Sequence, residues 1–136
     1  MGKLSIISVE KNSTKADSLR INRAVGKVKG FMGVLKFIDK DTKQFIAFCP
    51  CFDITGYGET EEKAFEMLKF SVSAYFDHLV NNLSLKEMEA ELSSLGWKHK
   101  KFLNKEYSNT YVDIDGQMKN FNAVDDKVER MTLQAA

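Results

Sequence analysis

A single proline, Pro50, stands in the chain, so elsewhere no fixed φ or missing N–H interrupts regular backbone pairing. Cysteine is almost as scarce. Cys49 and Cys51 flank that proline, and two thiols with no second pair cannot build the cross-linked framework of a small secreted domain. They read as packing thiols. A four-coordinate metal site would need ligands from elsewhere, and the two histidines, His78 and His99, fall in a helical pattern and in a polar turn. No metal site and no cofactor are expected.

Long apolar runs are missing too. No stretch approaches the roughly 18 to 20 consecutive apolar residues that cross a bilayer, and the opening Met1-Gly2-Lys3-Leu4-Ser5-Ile6-Ile7 is too short and too soon charged for a signal peptide. A cytoplasmic protein without a membrane partner is the expectation. The phosphate motifs are equally absent. Gly56-Tyr57-Gly58 leads into Glu59-Thr60, without the further glycine of a dinucleotide fingerprint or the Lys-Ser/Thr of a phosphate loop. Gly56 and Gly58 are then turn residues, allowing positive φ and close approach of the chain before a helix.

What remains is the composition of a folded domain. Of 136 residues, 43% are hydrophobic and 29% charged, well away from the low-apolar composition of disorder, and the length suits one domain spanning 1–136. The net charge of +1 conceals a segregation. Residues 1–30 hold seven Lys/Arg against two acids (+5), residues 31–80 five against eight (−3), and residues 81–136 eight against nine (−1). A basic segment precedes an acidic middle.

Leu4, Ile6, Ile7 and Val9 suggest a first strand over 3–9, while residues 11–30, punctuated by Gly26 and Gly30, read as a linker or exposed basic arm with room for a short helix over 16–24. The runs 31–38 and 44–49, joined by Asp39-Lys40-Asp41-Thr42-Lys43, form a β-hairpin; nearly continuous apolar residues suit strands covered by a helix on one side and partly buried on the other. A short third strand or turn follows over 52–57. Thr60 is a helix N-cap with Glu61 and Glu62 at the positive end of the dipole, and Phe65, Leu68, Val72, Tyr75 or Phe76, and Leu79 form one stripe to about Asn81-Asn82. Phe45 and Phe48 are expected in the same core as that stripe. Ser84 and Glu87 have capping-box spacing for a second helix ended by Gly96. Residues 107–114 read as a strand with a hairpin partner over 118–124; residues after Asp125 show no clear element.

Trp97-Lys98-His99-Lys100-Lys101, with Phe102 and Lys105, interleaves basic and aromatic residues as a nucleic-acid clamp does, and equally as a core Trp and Phe beside solvated lysines would. Asp39, Asp41, Asp53 and Glu62 lie near the expected sheet, but no spacing forces any two into an acid–base pair or a two-metal site.

Residues 31–80, and above all Thr55-Gly56-Tyr57-Gly58-Glu59-Thr60-Glu61-Glu62-Lys63-Ala64, resemble the HicB-like antitoxin domain, a reduced ribonuclease-H-like sheet with a helix against it. The resemblance implies an α+β fold: a small antiparallel sheet with a long helix packed on it over 31–82, between an N-terminal strand and basic arm (1–30) and a helix with C-terminal strands (83–136). It also implies a non-catalytic interaction module, stand-alone or diverged, whose partner is a HicA-like toxin or another basic protein. Glu59, Glu61, Glu62 and Glu66 would face that partner, and a sheet edge could carry self-association into a homo-oligomer. No helix-turn-helix or ribbon-helix-helix is legible after Gly96. The rival reading is an RNA- or single-stranded nucleic-acid-binding protein using residues 1–30 and 97–105 (Trp97, Lys98, Lys100, Lys101, Lys105). A third is a metal-dependent hydrolase built on the four carboxylates.

Overall fold

The computed structural model describes residues 7–10, 16–99, 106–109 and 128–135. Along the chain run β1 (Ile7–Glu10), β2 (Ser18–Asn22), β3 (Lys27–Ile38), β4 (Phe45–Cys49), β5 (Ile54–Gly58), α1 (Glu61–Asp77), a π-helical turn (His78–Asn82), α2 (Leu85–Ser94), β6 (Trp97–His99), β7 (Glu106–Asn109) and β8 (Glu129–Ala135). The fold is α+β: eight strands form one open sheet, every pairing among the described residues is antiparallel, and two helices accompany it.

β3 is the spine. Its twelve residues outrun any one neighbour, so one edge carries β8 (Gly30 to Lys36) while the other is shared by β2 (Lys27 to Phe31) and β4 (Leu35 to Ile38). On that shared edge Gly33 falls between β2 and β4 and pairs with neither, and the Asp17 carboxylate accepts its N–H at 2.8 Å. From β2 the sheet continues through β7 to β6; from β8 it continues to β1; from β4 it continues to β5.

Side chains alternate along each strand, so the sheet has two faces. The helix face carries Leu19, Ile21, Val28, Met32, Val34, Ala47, Met131 and Leu133, all buried with Phe65, Leu68, Val72 and Phe76 of α1. Leu35, Phe37 and Phe48 are buried on the opposite face. Phe45 and Phe48 therefore do not share the core expected of them: three residues apart in one strand, they point to opposite sides, and only Phe45 packs toward α1.

The helix begins where the sequence places it. Thr60 Oγ1 accepts the Lys63 N–H at 3.1 Å, and α1 then runs through the π-helical turn to Asn82. Gly56 lets α1 lie directly on β5: a Cβ there would stand 2.3 Å from the Ala64 carbonyl oxygen. Neither Gly56 nor Gly58 has positive φ, because both sit inside the strand β5; close approach, not turn geometry, is their duty. Ser84 Oγ accepts the Glu87 N–H at 3.1 Å while Glu87 accepts the Ser84 N–H at 2.9 Å, a complete capping box, and Gly96 closes α2 with φ 92°.

An aromatic cluster joins the layers. Phe52 stacks on Trp97 at 5.3 Å between centroids and meets Phe76 edge-on at 5.5 Å; the Trp97 indole donates to the Cys51 carbonyl at 3.1 Å. Cys49 and Cys51 are buried beside it with sulfurs 3.6 Å apart, and burial, then Cys49, pushes the Cys51 thiol well up.

Residues 18–30 depart most from expectation. The segment read as an arm with a short helix over 16–24 is β2, a turn at Arg23–Gly26 and the first part of β3. Leu19, Ile21 and Val28 alternate with Arg20, Lys27 and Lys29, a period-2 pattern that places three apolar side chains in the core and three cations outside. The residues after Asp125 hold β8, whose Met131, Leu133 and Ala135 alternate inward beside β3. Residues 110–127 fall outside the described residues, so of the expected hairpin over 107–124 only Tyr107–Asn109 is described, paired with β6 and β2.

Candidate functional site

Two surfaces gather the residues singled out from sequence. The first is the outward side of α1. Amphipathic spacing turns Phe65, Leu68, Val72 and Phe76 to the sheet, which leaves Glu62, Glu66, Phe70 and Ala74 exposed at successive four-residue steps. Phe70 is 68% exposed in the middle of that row. Glu59, just before the helix, is also exposed and lies 3.9 Å from the Lys63 ammonium.

Glu61 is different. Its carboxylate lies 3.1 Å from the Lys36 ammonium, which meets Glu129 at the same distance. Burial pulls Lys36 down, but the hydrogen bonds its ammonium donates to Glu129 and Glu61, with their charges, outweigh it and hold the ammonium above the usual lysine value. Glu61 thus ties the start of α1 to β3 and β8, leaving Glu59, Glu62 and Glu66 as the outward acids of the expected partner-binding set.

The second surface is the sheet face turned away from α1, on the β2 side. Arg20 stands opposite Lys29, and Asn22 opposite Lys27. Registers across six strands align Ser8, Gln134, Phe31, Ser18, Ser108 and Lys98 in one row on the same face. Two hollows, of about 250 and 460 Å³, meet at Arg20 and Lys29. β2–β7–β6 pairing thus brings Lys98 to the face of Arg20, Lys27 and Lys29, although some seventy residues separate them in the sequence.

Trp97 does not join that surface. It is 3% exposed, its ring is stacked on Phe52 and its N–H is committed to Cys51, so it presents no free face to a base. Strand alternation explains the split: Trp97 faces inward with Asn109, and Lys98 outward with Ser108. Lys100, Lys101 and Lys105 lie outside the described residues. His99 stacks on Tyr107 at 4.6 Å with Glu89 at 3.6 Å from its Nδ1.

The four carboxylates of the hydrolase reading serve or occupy separate places. Asp39 accepts the Thr42 N–H and hydroxyl, both at 2.8 Å, which holds its carboxyl below the usual range; Asp53 sits in the turn after Pro50 with φ 54°; Asp41 is in the β3–β4 turn; Glu62 is on α1. Among the described residues no three His, Cys, Asp or Glu side chains form a group able to hold a metal ion. Nor is any described helix long and apolar enough to cross a membrane. Among the described residues β1, β5 and β6 each pair on one side only, which makes them the available edges for strand addition.

Sequence reading missed the cations of β2 and β3 as a face, and the signal was present: Leu19-Arg20-Ile21 and Lys27-Val28-Lys29 alternate strictly. No protein-family model matches the chain, and no curated protein or solved structure matches it either.

Proposed function

We propose that the chain is a non-catalytic, HicB-like interaction module that holds a basic protein partner, of the HicA-like toxin class, on the outward side of α1. The observation that carries this reading is Phe70, exposed on the outward row of α1 one turn beyond Glu66 and two turns beyond Glu62. A single exposed apolar residue is ordinary on any protein. An aromatic ring one helical turn from a carboxylate offers more: burying it contributes roughly 1.5 to 3 kcal/mol, and the acids of that row draw a cationic partner toward it. The β3–β4–β5 strands leading into α1, with the cap at Thr60, occupy the stretch on which the HicB resemblance rests.

Stopped-flow binding and calorimetry with a HicA-like protein test the reading. Glu62→Lys with Glu66→Lys should slow association, because surface charge acts mainly on encounter. Phe70→Ala should act on dissociation and weaken binding about tenfold, equivalent to about 1.4 kcal/mol. Unchanged rates in both variants would remove α1 as the docking surface. Glu61 is unsuited to this test, since Glu61→Lys would set a second ammonium against Lys36.

A further inference from the structure

We propose that the sheet face opposite α1 binds single-stranded RNA, with Arg20, Lys27, Lys29 and Lys98 on the phosphates and Phe31 on the floor of the hollow beneath a base. This site is separate from the α1 surface, and its test does not depend on that one.

Charge comes first. Arg20, Lys27, Lys29 and Lys98 are exposed on one face, and none of them is ion-paired with a described acidic side chain. Glu106, directly across from Arg20, is the one carboxylate among the described residues that line the larger hollow, which also holds Arg20 and Lys29; Lys27 lines the smaller hollow beside them. Spacing comes second. Lys27 and Lys29 lie about 6.6 Å apart along β3, and Arg20 sits about 4.8 Å away across the strands. The cations are thus strung along the hairpin at intervals that an extended phosphate backbone can follow. Lys98 lies two strands beyond β2, about 10 Å across the sheet, so the cations trace a path and not a point.

The lining chemistry distinguishes nucleic acid from a generic polyanion. Phe31, half-buried, lines the 460 Å³ hollow between Ser18 and Gln134, which sets an aromatic side chain beside a hydroxyl and an amide for hydrogen bonds. Those neutral polar groups, with Asn22 beside Lys27, match the 2′-hydroxyls by which a protein tells RNA from DNA. A duplex fits less well: the β2–β3 hairpin runs on beyond β7 and β8, but one of its faces is packed into the core through Ile21 and Val28, so no free ribbon stands clear to enter a groove. The hairpin is also held in place from behind. The Arg23 guanidinium, at its turn, donates to the carbonyls of Leu79 at 3.0 Å and Leu83 at 2.7 Å.

The full chain should be titrated with a fluorescent oligouridylate by anisotropy, from about 50 to 200 mM salt. Three to four phosphate contacts give a log–log salt slope of about −2 to −3, at about −0.7 per contact on a single strand. Arg20→Gln/Lys27→Gln/Lys29→Gln should flatten that slope by about 2, while Lys63→Gln/Lys69→Gln on α1 should leave it unchanged. Circular dichroism checks that the triple variant folds; Lys27→Gln alone, at an exposed side chain, should still lose about 0.7 of the slope. Four results would overturn the proposal: no saturable binding at the lowest salt, a slope the triple variant does not change, equal binding of the matching oligodeoxynucleotide, or equal competition by poly-glutamate, which would point to an acidic protein segment instead.

Discussion

Asp17 illustrates how one side chain substitutes for a missing strand. Its carboxylate fills the gap where β2 and β4 part along β3, bonding Gly33 N–H. Burial raises its pKa, and the bond to Gly33 and the charge of Arg130 oppose that rise only in part. A carboxyl whose folded-state pKa exceeds the unfolded value favours folding when protonated, so stability falls as pH rises from about the ordinary aspartate value of 3.8 through the raised one, and stays lower above it. Asp17→Asn keeps an oxygen acceptor and carries no charge. In urea titrations the variant should therefore gain on the wild type as pH goes from 4 toward 7, where wild-type Asp17 is ionised. A constant difference across that range would show that ionisation of Asp17 is not what burial penalises.

At the scale of elements, the contact of α1 with β5 depends on a glycine and a leucine acting from opposite sides. Leu68 is fully buried, and the backbone N of the same residue would lie 2.6 Å from a Cβ on Gly56. Leu68→Ala opens a cavity and should cost about 2 to 5 kcal/mol. Gly56→Ala does the opposite: the added methyl meets helix backbone, which cannot rotate away, so a cost of about 1 to 3 kcal/mol or more is expected. Urea midpoints of the two variants check both, and a neutral Gly56→Ala would mean that α1 can lift from β5 without loss. The expectation that Gly56 serves a turn failed for a readable reason. Glycine before a helix has two uses, positive φ and close approach, and residue type alone does not separate them.

Across the whole molecule, Arg23 links the β2–β3 turn to the end of α1 and the chain before α2, residues 56 and 60 positions away in sequence. Its cation lies where the carbonyl end of a helix concentrates negative partial charge, and its planar fork reaches two carbonyls at once. Arg23→Ala should cost roughly 1.5 to 3 kcal/mol, the range for hydrogen bonds to a charged group. Hydrogen exchange should quicken in both the hairpin and residues 78–83, and Arg23→Lys should restore only part of the protection. Acceleration confined to the hairpin would separate the two regions.

Residue order alone fixes the local features. Thr60 and Ser84 cap helices because their hydroxyls reach amides three residues on, the stripe of Phe65, Leu68, Val72 and Phe76 selects the buried side of α1, and polar residues 39–43 turn the chain between two apolar strands. Each depends on neighbours within about one helical turn or one hairpin, distances over which residue order constrains geometry directly. The rest depends on long-range pairing: that β3 divides one edge between β2 and β4, that β8 returns from late in the sequence to the other edge, and that Trp97 is core while Lys98 is surface. Strand pairing joins residues with no fixed separation in sequence, and a one-residue change of register exchanges the two faces. The outward row from Ser8 to Lys98 exists only because five pairings agree, so the charge of the sheet face is a property of the fold and not of any segment.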